Sequence, residues 1–282
     1  LFHCRDSDTT NTVKSPYQLS PSTPTSEIRG YQKYEHSLAK PYQVGGNWDF
    51  VGNTFITNEY IRLTPNLASL HGGLWNTVPV RSRDWELMVT VKIHGSTGEM
   101  YGDGMAIWYV KDRDFVGNVS EVFGYKNMFD GMGVFIDTYS NHNGPHNHAH
   151  PYISAMVAKG DAKYDHDTDG THTQLGSDKG CTARLRNKDY DTNLLIRYVE
   201  DTVSVYIDID NAYVWRECFS VGEVRLPTGY YIGLSAATGD LSDNHDIIAV
   251  KMYEIDVPRA EREQDVDRSQ IRPEAKHFAS PR

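Results

Sequence analysis

The sequence lacks any run of about 18 apolar residues, so none of its 282 residues is expected to span a bilayer as a helix. It also lacks the clustered lysines and arginines that bind nucleic acid, and its net charge of −10 argues against both nucleic acid and an anionic membrane surface. It has neither a Gly-x-Ser-x-Gly elbow nor a phosphate-binding glycine loop. Glutamates are sparse near the candidate site described below, and no pair suits glycoside hydrolysis. Catalysis therefore has no support in the sequence.

Cysteine is scarce as well, because the chain has only Cys4, Cys181 and Cys218. Cys181 and Cys218 adjoin predicted strands, whereas Cys4 lies in a polar N-terminal segment, so we predict a disulfide between Cys181 and Cys218. Two buried free thiols are the alternative, and Cys4 is the odd thiol. The triplet Asn118-Val119-Ser120 is an acceptor sequence for N-glycosylation in a polar loop, which fits a luminal protein.

Hydrophobic patterning predicts strands along most of the chain. Apolar and polar residues alternate in 84–94 and 202–210, which indicates strands with one buried and one wet face. More fully buried strands, separated by clusters of Gly, Asn, Asp and Pro, are predicted at 105–110, 132–136, 152–158, 194–199, 230–235 and 247–255. No segment before residue 258 has a convincing helical period. The pattern therefore predicts an all-β protein, built as an antiparallel β-sandwich.

Composition divides the chain into three parts. Residues 1–33 are rich in Ser, Thr, Pro and Asp without an apolar period, and we predict a flexible leader there. Residues 34–257 form the predicted globular domain. Residues 258–282 are strongly charged and lack a heptad pattern, so we predict a stalk or tail outside the domain.

Four polar segments at predicted strand ends and loops look like one site: 102–104, 137–141, 164–169 and 239–245. Carboxylates, an amide and a backbone carbonyl are the ligands that Ca²⁺ prefers. Asp137, Tyr139 and Asn141 follow a buried strand, and their alternation would place them on one side. An Asx-rich turn that satisfies its own backbone is the alternative. Asp103 lies between two glycines beside these ligands, which suits a polyhydroxyl ligand such as a sugar.

Two other metal motifs fit less well. Residues 165–170 begin like an EF-hand, but the twelfth position of that loop requires a glutamate and is Gly176 here. His142, His146, His148 and His150 form a histidine-rich stretch. It lacks cysteine ligands and zinc-site spacing, so we interpret it as a solvated loop.

Several ordered motifs resemble a known family. They occupy residues 34–38, 40–42, 48–50, 62–65, 84–86, 102–104, 135–139, 151–154, 226–231 and 238–246. The last of these, Thr-Gly-Asp-Leu-Ser-Asp-Asn-His-Asp, is the most specific. Together they resemble the animal L-type (legume-like) cargo lectins over about residues 34–257, most closely the vesicular integral-membrane branch and its ER-resident relative.

This resemblance implies a concanavalin A-like jelly roll that binds high-mannose N-glycans with the help of Ca²⁺ and does not catalyse a reaction. The implied metal ligands are Asp137, the Tyr139 carbonyl, Asn141 and Asp169. The implied carbohydrate contacts are Ser69, Asp103, Tyr139, Asn141, His166, Gly239, Asp240 and Leu241. The Gly102–Asp103 peptide bond is expected to be cis, and the calcium ion is expected to fix the loops rather than touch the sugar. A protein–protein cargo adaptor with a vestigial sugar site is the alternative.

The resemblance also implies a place in the cell. We expect the lumen of the ER, the ER–Golgi intermediate compartment or the Golgi. There the protein would act in glycoprotein transport or quality control, held by a single-pass type I anchor that is not part of this chain. Because His166 adjoins several carboxylates, we expect acidification to weaken first Ca²⁺ and then sugar binding.

Overall fold

The computed structural model describes residues 29–43, 46–113, 121–141 and 147–276. Its strands are β1 (Arg29–Gln32), β2 (Trp48–Gly52), β3 (Phe55–Ile56), β4 (Ile61–Thr64), β5 (His71–Asn76), β6 (Trp85–His94), β7 (Gly104–Val110), β8 (Asp130–Asp137), β9 (Tyr152–Lys159), β10 (Cys181–Thr182), β11 (Thr192–Val199), β12 (Thr202–Asp208), β13 (Arg216–Val221), β14 (Val224–Arg225), β15 (Tyr231–Ala237), β16 (Asn244–Asp256) and β17 (Glu274–Ala275). The helices are short: α1 (Glu261–Gln264) and 3₁₀ turns at Tyr34–His36, His166–Thr168 and Arg268–Gln270. None of them is both long and apolar enough to span a membrane.

Two large antiparallel sheets face each other. One has the order β13-β12-β11-β6-β16-β4-β3, with β1 also paired to β16, and the other has the order β10-β9-β8-β7-β15-β5-β2. A two-stranded pair, β14–β17, forms a small separate sheet, and Val224 of β14 packs in the main core. Side chains from both sheets form one core between them, including Val89 of β6 and Val134 of β8. The predicted all-β sandwich is therefore confirmed.

The alternating pattern of the sequence matches the faces of the strands. In β6, Val89, Val91 and Ile93 are fully buried, while Thr90, Lys92 and His94 are only half-buried. In contrast, every residue of β7 is buried. A second cluster explains this, because Trp108 and Phe135 on the outer face pack beneath Phe123 and Tyr125 of the segment before β8. This aromatic layer fixes the loops at the candidate site.

The ordered domain extends beyond the predicted boundaries at both ends. β1 lies within the predicted leader and pairs with β16, Arg29 opposite Asp256. In the predicted tail, β17 pairs with β14, and the buried Arg268 donates to the Tyr198 hydroxyl at 2.9 Å and to Asp201 at 2.6 Å. Hydrophobic periodicity could not reveal either element, because β1 is an edge strand of only four residues and Arg268 is held by polar contacts. Residues 1–28 and 277–282 lie outside the described residues.

A disulfide joins Cys181 and Cys218, as predicted, with an S–S distance of 2.08 Å. It connects β10 of one sheet to β13 of the other, so it links the two layers covalently. Cys4 and the predicted glycosylation site at Asn118 lie outside the described residues.

Removing this crosslink should destabilise the fold without unfolding it. For a separation of 37 residues, the chain-entropy model gives a loss of about 4 kcal/mol in unfolding free energy. The test compares Cys181→Ala/Cys218→Ala with the intact disulfide by guanidinium denaturation, both in a Cys4→Ala background that prevents thiol exchange. A loss below about 1 kcal/mol would contradict the entropic account.

Candidate functional site

The candidate site is a cavity of about 360 Å³ at one end of the sandwich. Its lining comes from loops that are far apart in sequence: Asp103, Glu121, Phe123, Asp137, Tyr139, Asn141, His166, Asp240 and Leu241. The structure thus brings together the segments 102–104, 137–141 and 164–169 and the first half of 239–245. Its carboxylates, amide, imidazole and apolar side chains offer both hydrogen-bond partners and a packing surface.

Strand pairing explains why these segments meet. β7 lies between β8 and β15, and its first residue, Gly104, is opposite both Asp137 and Ala237. Asp103 therefore stands between the loops that follow β8 and β15. Its backbone N–H donates to the Ala237 carbonyl at 3.1 Å, and its own carbonyl accepts from Thr138 N–H at 3.0 Å. The position of Asp103 is fixed by the sheet itself.

Asp103 is packed tightly against the loop after β15. The Gly102–Asp103 peptide bond is cis, as expected. A Cβ atom at Gly239 would lie 3.1 Å from both carboxylate oxygens of Asp103, so a side chain there would crowd the carboxylate. Burial raises the pKa of Asp103; His166 opposes this shift, and the charges of Asp137 and Asp240 add to it. The carboxylate is held half-buried, ready to accept hydrogen bonds.

His166 has a defined orientation in the cavity wall. Its Nε2 lies 2.8 Å from the Glu121 carbonyl oxygen, which can only accept, so Nε2 carries a proton. The ring meets Phe123 and Tyr164 edge-on, with centroids 5.2 and 4.9 Å away. Asp165 caps the 3₁₀ turn that carries His166 by accepting from Asp167 N–H. In the neutral ring, Nδ1 is then the free acceptor.

Beside the cavity, two buried carboxylates and an imidazole form a cluster. Donor atoms of Asp137, His150 and Asp169 all lie within 4.8 Å of one another. His150 Nε2 is 3.8 Å from Asp137 Oδ2 and 3.6 Å from Asp169 Oδ2, and it has no hydrogen-bond partner. Burial raises the pKa of Asp137, although the neighbouring imidazole opposes this. Two adjacent buried carboxylates require a compensating positive charge. Burial opposes a charged imidazole, but the charges of Asp137 and Asp169 raise the pKa of His150 overall, so either this imidazolium or a bound cation can supply the charge.

The turn after β8 wraps around this cluster. Tyr139 N–H donates to Asp137 Oδ1 at 3.2 Å, and Asn141 N–H donates to Asp169 Oδ1 at 2.9 Å. Asp169 itself adopts a left-handed conformation, with φ of 49°, at the end of the 3₁₀ turn. The Tyr164 hydroxyl approaches Asp137 Oδ2 at 3.3 Å. These contacts gather two carboxylates, the 139–141 backbone and an amide, a donor set that fits Ca²⁺.

His150 was missed by the sequence interpretation, which treated it as part of a solvated loop. Its side chain is only 5% exposed, and His148 stacks on Tyr152 with ring centroids 3.4 Å apart. That interpretation is therefore wrong for these two residues, while His142 and His146 lie outside the described residues. A usable signal was present: His150 lies two residues before Tyr152, the first residue of β9, and β9 pairs with β8 so that Tyr152 is opposite Asp137.

The second half of the 239–245 segment does not reach the cavity. Asp243 is fully buried and forms an ion pair with Arg186. His245 is also fully buried, 2.7 Å from the Thr64 hydroxyl, and burial lowers its pKa to about 4. Ser69 is exposed beside the loop, and its N–H donates to the Gly239 carbonyl at 2.8 Å. Ser69 therefore supports the loop through its backbone.

Comparison with known proteins agrees with this geometry. The model of the legume-like lectin family matches residues 29–262. The VIP36-like protein of Homo sapiens is 48% identical over 257 residues, which cover 89% of this chain and 72% of that protein. The vesicular integral-membrane protein VIP36 of Canis lupus familiaris is 45% identical over 257 residues, covering 89% of this chain and 70% of that protein.

The structure of the chain is also similar to solved structures of VIP36 domains. The crystal structure of the VIP36 exoplasmic/lumenal domain in its Ca²⁺/Man3GlcNAc-bound form matches with a TM-score of 0.81 at 45% identity, covering 87% of this chain and 99% of that one. The Ca²⁺/Man2-bound form of the same domain matches with a TM-score of 0.82 at 43% identity, covering 88% and 98%. On its sequence, its sandwich and its site, the chain belongs to the legume-like lectin family.

Proposed function

We propose that the protein is a Ca²⁺-dependent lectin for high-mannose N-glycans. The observation that carries this proposal is the position of the Asp103 carboxylate, which opens into the cavity beside a cluster suited to a cation. Related VIP36 domains carry Ca²⁺ and mannose-containing ligands in their solved structures. Asp103, the 139–141 turn and the Gly239–Leu241 loop adjoin one another here, as a shared sugar site requires.

The proposed calcium ligands are Asp137, the Tyr139 carbonyl, Asn141 and Asp169. Asp137 and Asp169 supply formal negative charge, and the turn contributes neutral oxygens, in the manner of calcium sites. The ion would offset the repulsion between the buried carboxylates. It would also hold the 139–141 turn against the segment that carries His166 and Asp169. His150 lies next to this donor set and would orient or complete it.

The proposed sugar contacts surround Asp103. Its carboxylate can accept hydrogen bonds from two adjacent sugar hydroxyls, and such charge-assisted bonds are strong. The Asn141 amide, His166 Nδ1 and the backbone of Gly239 and Asp240 offer further donors and acceptors. The proposed packing surfaces are the Tyr139 ring, which is 40% exposed, and Leu241. Ser69, beside the Gly239–Leu241 loop, would add its hydroxyl to these contacts.

A preorganised site of this kind supports capture of glycoproteins in the early secretory pathway. Rigid loops lower the entropy cost of binding, so a shallow polar cavity can still select a sugar. The disulfide between the sheets supports a luminal setting, because disulfides persist in oxidising compartments. The name of the relative VIP36, a vesicular integral-membrane protein, supports vesicular membranes as the location. Membership of a lectin family supports binding without turnover of the glycan.

Calorimetric titration with α1,2-linked mannobiose tests the proposal directly. Binding is expected in Ca²⁺ and is expected to vanish in EDTA, because the loops lose the ion that orders them. Circular dichroism should show that the sandwich stays folded in EDTA. Binding that persists in EDTA would contradict the calcium dependence. No binding in either buffer would favour a cargo adaptor with an inactive sugar site.

Two single substitutions should separate metal binding from sugar binding. Asp103→Asn should weaken mannobiose binding at least about 100-fold, since two charge-assisted hydrogen bonds are lost, while calcium affinity is retained. Asp169→Asn should weaken both. Asp210→Asn is the matched control, because it makes the same substitution at an exposed position after β12. It should alter neither the calcium affinity nor the mannobiose affinity. Equal effects of Asp103→Asn and Asp169→Asn on calcium affinity would contradict the assigned roles.

Sugar binding should also weaken in acid. Because burial raises the pKa of Asp103, its carboxylate becomes protonated at a higher pH than a free aspartate, and it then loses acceptor capacity. Affinity should therefore be full at neutral pH and half lost at a pH above about 4, the usual aspartate value. The pH midpoint is measured at two saturating calcium concentrations. If acid acted by releasing calcium, the midpoint would differ between the two. A midpoint at or below about 4 would contradict the role of Asp103.

A further inference from the structure

The loops that hold Asp103 and Asp240 share one buried arginine outside the cavity. Arg186 follows β10, where it forms a parallel bridge with Ile93 near the end of β6. The next residue, Asn187, donates its N–H to the Ile93 carbonyl at 3.0 Å. The Arg186 side chain is only 8% exposed. It lies outside the lining of the cavity. The backbone of Arg186 is thus anchored to a central strand of the sandwich.

One side of the guanidinium holds the loop after β15. Nε donates to Asp243 Oδ2 and Nη2 donates to Asp243 Oδ1, both at 2.7 Å, a two-pronged ion pair. Asp243 is fully buried, and it lies two residues after Leu241, which lines the cavity. The position of the Gly239–Leu241 loop therefore depends on this ion pair.

The other contacts of Arg186 reach the loop before β7. Nη2 donates to the Ser96 carbonyl at 2.7 Å. The guanidinium carbon lies 4.0 Å from the centre of the Tyr101 ring, close enough for a cation–π contact. Tyr101 directly precedes Gly102 and Asp103. A single side chain therefore touches both loops that the proposed sugar site joins.

We propose that Arg186 is a positioning residue of the sugar site, setting the distance between the Asp103 loop and the Gly239–Leu241 loop without contacting either ligand. This inference rests on the proposed lectin function. Lysine cannot replace arginine here, because a single ammonium group cannot form the two-pronged pair with Asp243, donate to Ser96 and stack on Tyr101 together. We call the contacts of Arg186 with Asp243, Ser96 and Tyr101 the clamp. Binding of the sugar, rather than binding of calcium, depends on it.

Gly95 provides an independent way to disturb the clamp without changing any charge. A Cβ atom there would lie 2.3 Å from Asp243 Oδ1 and 3.3 Å from Arg186 Nη2. Its φ is not in the left-handed region, so alanine is allowed by the backbone. Gly95→Ala must therefore displace the Asp243 carboxylate from its present position.

The test measures mannobiose affinity, calcium affinity and melting temperature for Arg186→Lys and Gly95→Ala. Both variants should bind mannobiose at least about tenfold more weakly, the effect of losing one charge-assisted hydrogen bond. Calcium affinity should stay within about twofold of the wild type, because the metal cluster is held by other contacts. Arg197→Lys is the matched control, since Arg197 pairs with the buried Glu86 at the opposite end of β6. It should lower the melting temperature and leave the sugar affinity unchanged.

The outcomes separate this inference from the proposed function. Wild-type binding together with unchanged sugar affinity in folded Arg186→Lys and Gly95→Ala would overturn the clamp alone. The clamp would also be overturned if Arg197→Lys weakened sugar binding as much as Arg186→Lys, because the effect would then follow general destabilisation. Absence of wild-type binding would overturn the lectin function and the clamp with it. If Arg186→Lys does not fold, Gly95→Ala decides the question.

Discussion

The site depends on the electrostatic cost of two neighbouring buried carboxylates. Asp137 ends a central strand and Asp169 ends a 3₁₀ turn, and both are withdrawn from solvent. Like charges held this close in a poorly polarisable setting oppose folding of the loops that bring them together. His150 lies beside both carboxylates and can offset part of this repulsion as an imidazolium. A bound cation would offset it further and would couple the order of the loops to the presence of the metal. The chemistry of the sugar site follows from this coupling.

The sheet already positions much of the site, so a bound metal has few residues left to position. Because β7 lies between β8 and β15, Asp103 is placed by strand pairing before any ligand is present. The aromatic layer of Trp108, Phe135 and Phe123 supports the opposite wall and orients His166. The 139–141 turn already contacts Asp169, since Asn141 N–H donates to Asp169 Oδ1 at 2.9 Å, and a bound cation would hold the two together. A small electrostatic change can therefore organise a cavity built from four distant segments.

Much of the fold was predictable because the strands of a sandwich have a period that sequence can show. The alternation in 84–94 corresponds to β6, and the apolar run at 105–110 corresponds to β7, which is buried on both faces. Short edge strands such as β1 and β17 are held by pairing with one neighbouring strand. A segment of two to four residues is too short to show a hydrophobic period. For these, only the folded partner strand reveals the element.

The site was predictable in its composition and less so in its arrangement. Asp137, Asp169 and Asp103 carry residue types that indicate a cation and a sugar, whereas Asp243 and His245 have the same polar character and lie buried elsewhere. Sequence cannot distinguish a polar residue that faces a cavity from one that satisfies a buried arginine. His150 was overlooked for a similar reason, since a histidine among histidines looks solvated until strand pairing places it beside Asp137.

If the cation orders the sugar site before the sugar arrives, the loop amides should respond to Ca²⁺ alone. Native-state hydrogen exchange measures this response, because it reports the opening of individual backbone amides. With Ca²⁺ alone, we expect slower exchange at the amides of Tyr139 and Asn141 and in the Gly239–Leu241 loop, with little change in the core strands. Adding mannobiose should then slow exchange only slightly further. Exchange in these loops that ignores Ca²⁺ and slows only when the sugar binds would show that the sugar, and not the cation, orders the site.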